Sequence, residues 1–199
     1  MEDAGMKRSF VRILAIFALI CAAAACGCTG TTETTDPAAS AGDEIAWNLT
    51  VTDGTQEKVL SFAEIKALPA WEGYGYAVST VGIKYGPYTV KGVPLTTLFD
   101  LVGGFEEGDQ VGISAPDGYY WVFDDEQMSG KGFVTFDENL KEKPSPDLTP
   151  ILAYEFNGTA IPDGDGGPLR IVVATDEPGT ITEGSAWVKW VDRIEVKRS

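Results

Sequence analysis

The stretch "ILAYEFNGTAIPDGDGGPLRIVV", residues 151–173, decides the fold. An apolar run leads to Asn157-Gly158. A dense Asp/Gly cluster follows at residues 163–167, and a second apolar run begins at Leu169. Asn-Gly after a strand-like run predicts a type I′ turn, in which both central residues take positive φ. "PLRIVVA" (168–174) reads as a buried strand. The cluster between them has three readings. A calcium loop of the EF-hand type needs oxygen ligands at alternating positions and a distant Glu. Asp163 and Asp165 supply the first two, but Gly167 and Pro168 stand where the pattern should continue. A phosphate loop ends in Gly-Lys-Ser/Thr and opens a helix, whereas Pro168-Leu169-Arg170 opens a strand. A turn whose glycines accept positive φ accounts for the whole pattern.

Arg170 breaks the apolar character of its strand. A buried guanidinium needs an anionic partner. The partner is either an internal carboxylate, with Glu155 the first choice, or a bound anion. Lys189, between Trp187 and Trp190 in "SAWVKWVDRIEVK" (185–197), could add positive charge. That segment reads as a strand pair or one bent strand. Strand alternation would place Lys189 on the face of Trp187 and opposite Trp190.

Working outward, "IAWNLTVTD" (45–53) alternates as a strand, and "EKVLSF" (57–62) returns after a turn. Ser61 caps a short helix, "FAEIKAL" (62–68), with Glu64 at the third position as in a capping box, and Pro69 stops it. "VPLTTLFDLVGG" (93–104) reads as a helix that starts near Pro94 and ends at Gly103 and Gly104. "VGISA" and "YYWVF" flank "PDG" as a hairpin; residues 129–149 are a long polar excursion, and 175–184 a loop. In "DGYYWVF" (117–123), Tyr119 and Trp121 share one face and Tyr120 and Val122 the other. One set belongs to the core. The other could join Trp71, Tyr74, Tyr76 and Tyr85 around a planar ligand. Many strands with two short helices make an α+β domain. Asn48 and Asn157 fit the N-glycosylation pattern.

The chain of 199 residues carries a net charge of −15. Such a surface repels nucleic acid, so no nucleic-acid partner is expected. There is no histidine, and all three cysteines (Cys21, Cys26 and Cys28) precede residue 30. The globular part therefore has no imidazole, disulfide or thiolate ligand. In "MKRSFVRILAIFALICAAAACGCTG" (6–30), Lys7, Arg8 and Arg12 precede an apolar run over 13–25. That run is shorter than the roughly 20 residues a bilayer span needs, and reads as an export signal. The segment resembles a prokaryotic lipoprotein signal, with Cys28 as the lipid attachment site and Cys26 as the alternative. The expected organisation is a signal over 1–28, a flexible tether over 29–43, and one domain over 44–199. The protein would sit outside the cytoplasm, held to the outer face of the membrane by its lipid.

Four segments now stand in order: "YTVKGVPLTTLFDLVG" (88–103), "DGYYWVF", "ILAYEFNGTAIPDGDGGPLRIVV" and "WVKWVDRIEV" (187–196). Together they resemble the oxidoreductase molybdopterin-binding domain, the central domain of the sulfite oxidase family, over roughly residues 56–196. The resemblance implies mixed β-sheets with a few short helices, and a molybdenum–pterin cofactor. It implies a metal-binding cysteine in the segment before the Gly-Val-Pro-Leu helix. Here that segment, 70–91, has no cysteine; Ser79 and Thr80 in "YAVSTVG" lie in the neighbourhood. The histidine that often contacts the pterin has no counterpart either. A thiolate is a strong soft donor for a high-valent metal, and a hydroxyl is not. The expectation is therefore a non-catalytic ligand- or protein-binding module, with Arg170, Lys189, Ser79 and Thr80 as candidate cofactor-binding residues. The alternative is a molybdopterin-dependent oxidoreductase subunit with non-cysteine ligation, served by a separate redox partner.

Overall fold

The computed structural model describes residues 45–199. The segments expected to be a signal and a tether, with Cys26 and Cys28, lie outside the described residues.

β1 (Asn48–Thr52) and β2 (Glu57–Ser61) form the predicted first hairpin. Ser61 then caps α1 (Phe62–Ala67): its hydroxyl accepts from the Glu64 amide, and the Glu64 carboxylate accepts from the Ser61 amide. The helix buries Phe62 and Ile65. β3 (Trp71–Val78) and β4 (Lys84–Pro94) make a long hairpin. The predicted helix over 93–104 is shorter than expected. β4 runs through Pro94, α2 covers Leu95–Phe99, and a single 3₁₀ turn spans Asp100–Val102 before Gly103 at φ 98°. The backbone of Gly92–Pro94 is engaged by β9 (Leu148–Phe156), which keeps it extended.

β5 (Gln110–Ser114) and β6 (Tyr120–Phe123) are the predicted second hairpin, followed by the short α3 (Asp125–Met128). The polar excursion contains two short strands, β7 (Thr135–Phe136) and β8 (Glu142–Lys143). β9 turns at Asn157 (φ 53°) and Gly158 (φ 76°) into β10 (Thr159–Ala160), as the Asn-Gly pair requires. β11 (Arg170–Thr175) is buried throughout. The expected loop at 175–184 holds β12 (Ile181–Glu183), which pairs with β3 and β7. The C-terminal segment is not a strand pair. Residues 184–186 form a 3₁₀ turn, residues 187–192 are irregular, and only β13 (Arg193–Lys197) is a strand.

Two sheets result. One has the order β2-β1-β13-β5-β6, with β1 and β13 parallel. The other runs β10-β9-β11-β3-β12-β7-β8, and β4 pairs with both β3 and β9. β9, β11, β3 and β4 thus close on one another, which removes edges at the heart of the sheet. Leu152, Ile171, Val172, Leu95, Leu98 and Ile194 are fully buried in the core. The predicted α+β class with mixed sheets and few short helices holds. The end of β11 that carries Arg170 opens on a cavity.

Candidate functional site

The glycine-rich turn ahead of β11 sets the site. Residues 163–165 form a 3₁₀ turn, and Gly166 leaves it at φ 87°. Gly167 has a different reason to be glycine: a Cβ there would collide with the carbonyl of Ile161. A Cβ on Gly166 would run into the stem of Lys189. The turn is therefore pressed against the irregular segment 187–190. Trp190 donates its amide to the Gly166 carbonyl (2.8 Å) and its indole N–H to the Asp163 carbonyl (3.0 Å) and carboxylate (3.1 Å). These bonds hold Trp190 at φ 51°, a left-handed backbone rare for a bulky residue.

That backbone corrects the strand reading of this segment. Lys189 does not stand opposite Trp190: its Nζ lies 5.6 Å from the Trp190 ring centroid and 5.6 Å from that of Tyr85. Arg170 lies over Tyr85 (5.4 Å) and Trp187 (5.3 Å). Each such contact contributes on the order of 1 kcal/mol. The Trp187 indole donates to the Thr182 hydroxyl at 3.2 Å, which fixes this wall.

Arg170 is 2% exposed. Its Nη1 donates to the Asp165 carbonyl at 2.7 Å, while its Nε has no hydrogen-bond partner among the described residues. The expected partner Glu155 is engaged elsewhere, 3.0 Å from Lys66 Nζ. β11 pairs Arg170 with Ala153, and Glu155 lies two residues further along β9. Among the described residues, neither Arg170 nor Lys189 has a carboxylate within ion-pair distance; the pairs use Lys66, Lys91, Lys143, Arg193 and Arg198. Burial pulls the Arg170 pKa below its usual value, and Tyr88, Tyr85 and Asp165 oppose the shift. A guanidinium keeps its charge under such a shift.

Arg170 and Lys189 line a cavity of about 290 Å³, and Ser79 and Thr80 line the same cavity. All four candidates from the sequence therefore meet. Tyr85, Trp187 and Trp190 supply aromatic walls, and Gly184, Ser185, Asp117 and Tyr119 complete the lining. Of the aromatic set proposed from sequence, Tyr85 and Tyr119 contribute. Trp71, Tyr74 and Tyr76 do not, because the pleat of β3 and its register with β4 carry them elsewhere. Tyr119 spans from the β5–β6 turn to the Ser185 carbonyl, donating at 2.8 Å. Asp117, Gly184 and Ser185 were missed. In sequence they are ordinary turn residues, and nothing local separates them from other turns.

The profile of the oxidoreductase molybdopterin binding domain family matches residues 36–199. The chain belongs to this family. Similar proteins include the mitochondrial sulfite oxidases of Homo sapiens and Mus musculus, each 38% identical over 58 residues. That stretch is 29% of this chain and 10% of each relative, so the match spans about a tenth of their length. A similar solved structure is the sulfane dehydrogenase SoxCD from Paracoccus pantotrophus, with TM-score 0.57 and 21% identity. The alignment covers 77% of this chain and 38% of that one. At that identity the likeness bears on the fold, which is the one the family implies.

The cavity is cationic and partly aromatic, a lining that fits a planar, anionic cofactor of the kind the family's description names. The Arg170 Nε and the Lys189 ammonium, neither of which has a partner among the described residues, suit the phosphate of a pterin cofactor. The metal end fits less well. The donors in the cavity are hydroxyls and one carboxylate, and no cysteine follows Cys28. Among the described residues no three His, Cys, Asp or Glu side chains gather as a metal site.

Proposed function

We propose that this domain is an exported, lipid-anchored binding module whose cavity takes a planar, anionic ligand of the pterin type without catalysing a reaction on it. The observation that carries the reading is Arg170, a buried cation that among the described residues has no carboxylate partner and no bond to its Nε, beside Lys189, a second cation without an ion pair there. A buried, uncompensated charge is costly, and a bound anion would offset that cost. Arg170 and Lys189 would hold the anionic group, and Tyr85, Trp187 and Trp190 would flank the planar part. The leader sequence supports attachment at Cys28 and a place on the outer face of the membrane.

A second reading rests on Ser79 and Thr80, whose hydroxyls line the same cavity. In it the domain is a molybdopterin-dependent oxidoreductase subunit with oxygen rather than sulfur at the metal, and a partner exchanges electrons with it. A bound molybdenum–pterin group would supply the redox chemistry; the chain would bind and orient it.

Pterin-6-carboxylate is a suitable probe. A ligand at a hundred times its Kd stabilises the fold by about 2.7 kcal/mol, so the melting temperature should rise in its presence. The rise should vanish in Arg170→Met and shrink in Lys189→Met. No rise in the wild-type protein would sink the first reading. Elemental analysis of protein from its own membranes separates the second: near-stoichiometric molybdenum or tungsten with pterin favours it, and pterin alone favours the first.

A further inference from the structure

The tip of the β3–β4 hairpin presents two aliphatic side chains to solvent. Val81 is 78% exposed, the most exposed large apolar side chain among the described residues, and Ile83 is 54% exposed. Tight turns are ordinarily built from Gly, Asn, Asp and Ser. A single exposed aliphatic is unremarkable, but here two share one closed turn. The Ser79 amide donates to the Ile83 carbonyl (2.8 Å), the Ile83 amide to the Ser79 hydroxyl (3.0 Å), and the Gly82 amide to the Ser79 carbonyl (2.9 Å). These bonds hold both side chains outward.

Charge singles out the same hairpin. The chain carries −15 overall, yet residues 73–99 contain no Asp or Glu, and Lys84 and Lys91 lie within them. Lys84 flanks the tip, its ammonium 2.7 Å from the Glu138 carbonyl. Glu183 is set back at the base of the turn, paired with Val78. The hairpin is thus a part of this acidic surface that can approach anionic headgroups without carboxylate repulsion. The entry of the chain into the domain adds a direction. The Trp47 indole donates to the Val191 carbonyl at 2.8 Å, next to Trp190 of the cavity. Ser79 and Thr80 line that cavity from the hairpin tip. Chain entry and tip therefore share the cavity end of the molecule. Residues 29–44, between Cys28 and the first described residue, can span at most about 55 Å, so an anchor at Cys28 keeps this end within reach of the bilayer.

We propose that the Val81–Ile83 tip is a membrane-contact site. It enters the headgroup region of the bilayer that holds the lipid anchor, with Lys84 at the level of the phosphates, and turns the cavity mouth toward the membrane. Two side chains fall far short of the roughly 800 Å² that a stable protein interface takes from each partner. They suffice to orient a domain that is already tethered, because the anchor makes the second contact intramolecular. The inference rests on the lipid-anchored reading above and is independent of what the cavity binds.

The test places the full chain, expressed with its leader and recovered from membranes, in vesicles of phosphatidylcholine and phosphatidylglycerol. An environment-sensitive fluorophore is attached at Val81→Cys and, in a second sample, at Lys58→Cys, beside the β1–β2 turn and away from the end where the chain enters. With Cys28 acylated and no cysteine after it, each label is site-specific. Emission at position 81 should shift to the blue and resist quenching by aqueous iodide, while the label at 58 stays open to iodide. Ile83→Asp, a change at an exposed position, should return the label at 81 to aqueous emission, with melting temperature and vesicle flotation unchanged. Flotation with the label at 81 as open to iodide as the label at 58 overturns the inference and leaves the anchor standing. A label that is open in lipid vesicles but shielded in native membranes also overturns it, since a protein then covers the tip. If the wild-type chain does not float with the vesicles, the anchor reading itself fails and this inference falls with it.

Discussion

Gly166 and Lys189 show how closely one residue can set a site. The glycine takes a left-handed backbone, and its missing Cβ leaves the space through which the Lys189 stem runs to the cavity. Gly166→Ala should therefore have two separable effects. The left-handed backbone alone costs about 1–2 kcal/mol for a residue with a Cβ, and urea denaturation will read it as a lower midpoint. The methyl group also displaces Lys189, so affinity for an anionic probe should fall by more than in a variant of equal stability elsewhere. An unchanged affinity would show that Lys189 is not used. Arg170 was legible in sequence because one charge inside an apolar run is an anomaly with few solutions. Its neighbours were not. The position of Lys189 depends on the left-handed Trp190, which is imposed by bonds to a turn more than twenty residues away, and no local pattern encodes that. Asp117 was hidden for the opposite reason, since Pro-Asp-Gly is a sufficient turn without any further role.

Among the elements, those with local causes were the ones the sequence could be read for. The α1 cap, the Asn157-Gly158 turn and the β5–β6 hairpin each depend on residues within a few positions of one another. The errors were elsewhere. α2 lost its first residues to β9, which pairs with Gly92–Pro94 from across the sheet, and β12 exists because β3 and β7 lie on either side of it. Neither partner is near in sequence, so periodicity could not show it. The capping box offers a direct test of the local kind. Ser61→Ala removes the acceptor for the Glu64 amide, and the reciprocal bond loses its geometric support. The expected loss is about 1 kcal/mol, read as a lower denaturation midpoint with an unchanged slope. Because α1 sits away from the cavity-lining residues, probe affinity should be unaffected.

At the scale of the whole molecule, the end of the last strand acts as a clamp. Arg198 donates from Nη1 to Asp109 (2.8 Å) and the Gly104 carbonyl (3.1 Å), and from Nη2 to Asp53 (3.2 Å). The Ser199 amide adds a second bond to Asp109 at 3.1 Å. Three parts of the chain, the β1–β2 turn, the loop after α2 and the C-terminal strand, are thereby held at one point. The backbone amides of Gln56 and Thr55, with help from the Thr55 hydroxyl and Arg198, hold Asp53 well below the usual carboxylate range. Burial alone would raise Asp109, but Arg198 and the amides of Glu106 and Ser199 outweigh it and lower its pKa. Both carboxylates are thus more acidic folded than unfolded. Their contribution is fully present above the unfolded carboxylate value of about 3.9, and is lost as pH falls from there through the folded values. A net charge of −15 works in the other direction. As exposed carboxylates begin to protonate, self-repulsion falls and the compact state gains. The melting temperature should therefore hold or rise slightly down to about pH 4.5 and drop steeply below about pH 4. Asp109→Asn separates the two effects, because it removes the most buried titrating member of the clamp and leaves the surface charge almost unchanged. Its acid limb should be shallower than that of the wild type, and its neutral-pH stability lower. Arg198→Met should flatten the limb less, since Asp53 keeps its backbone donors. An acid limb of the same steepness in all three proteins would place the acid sensitivity outside the clamp.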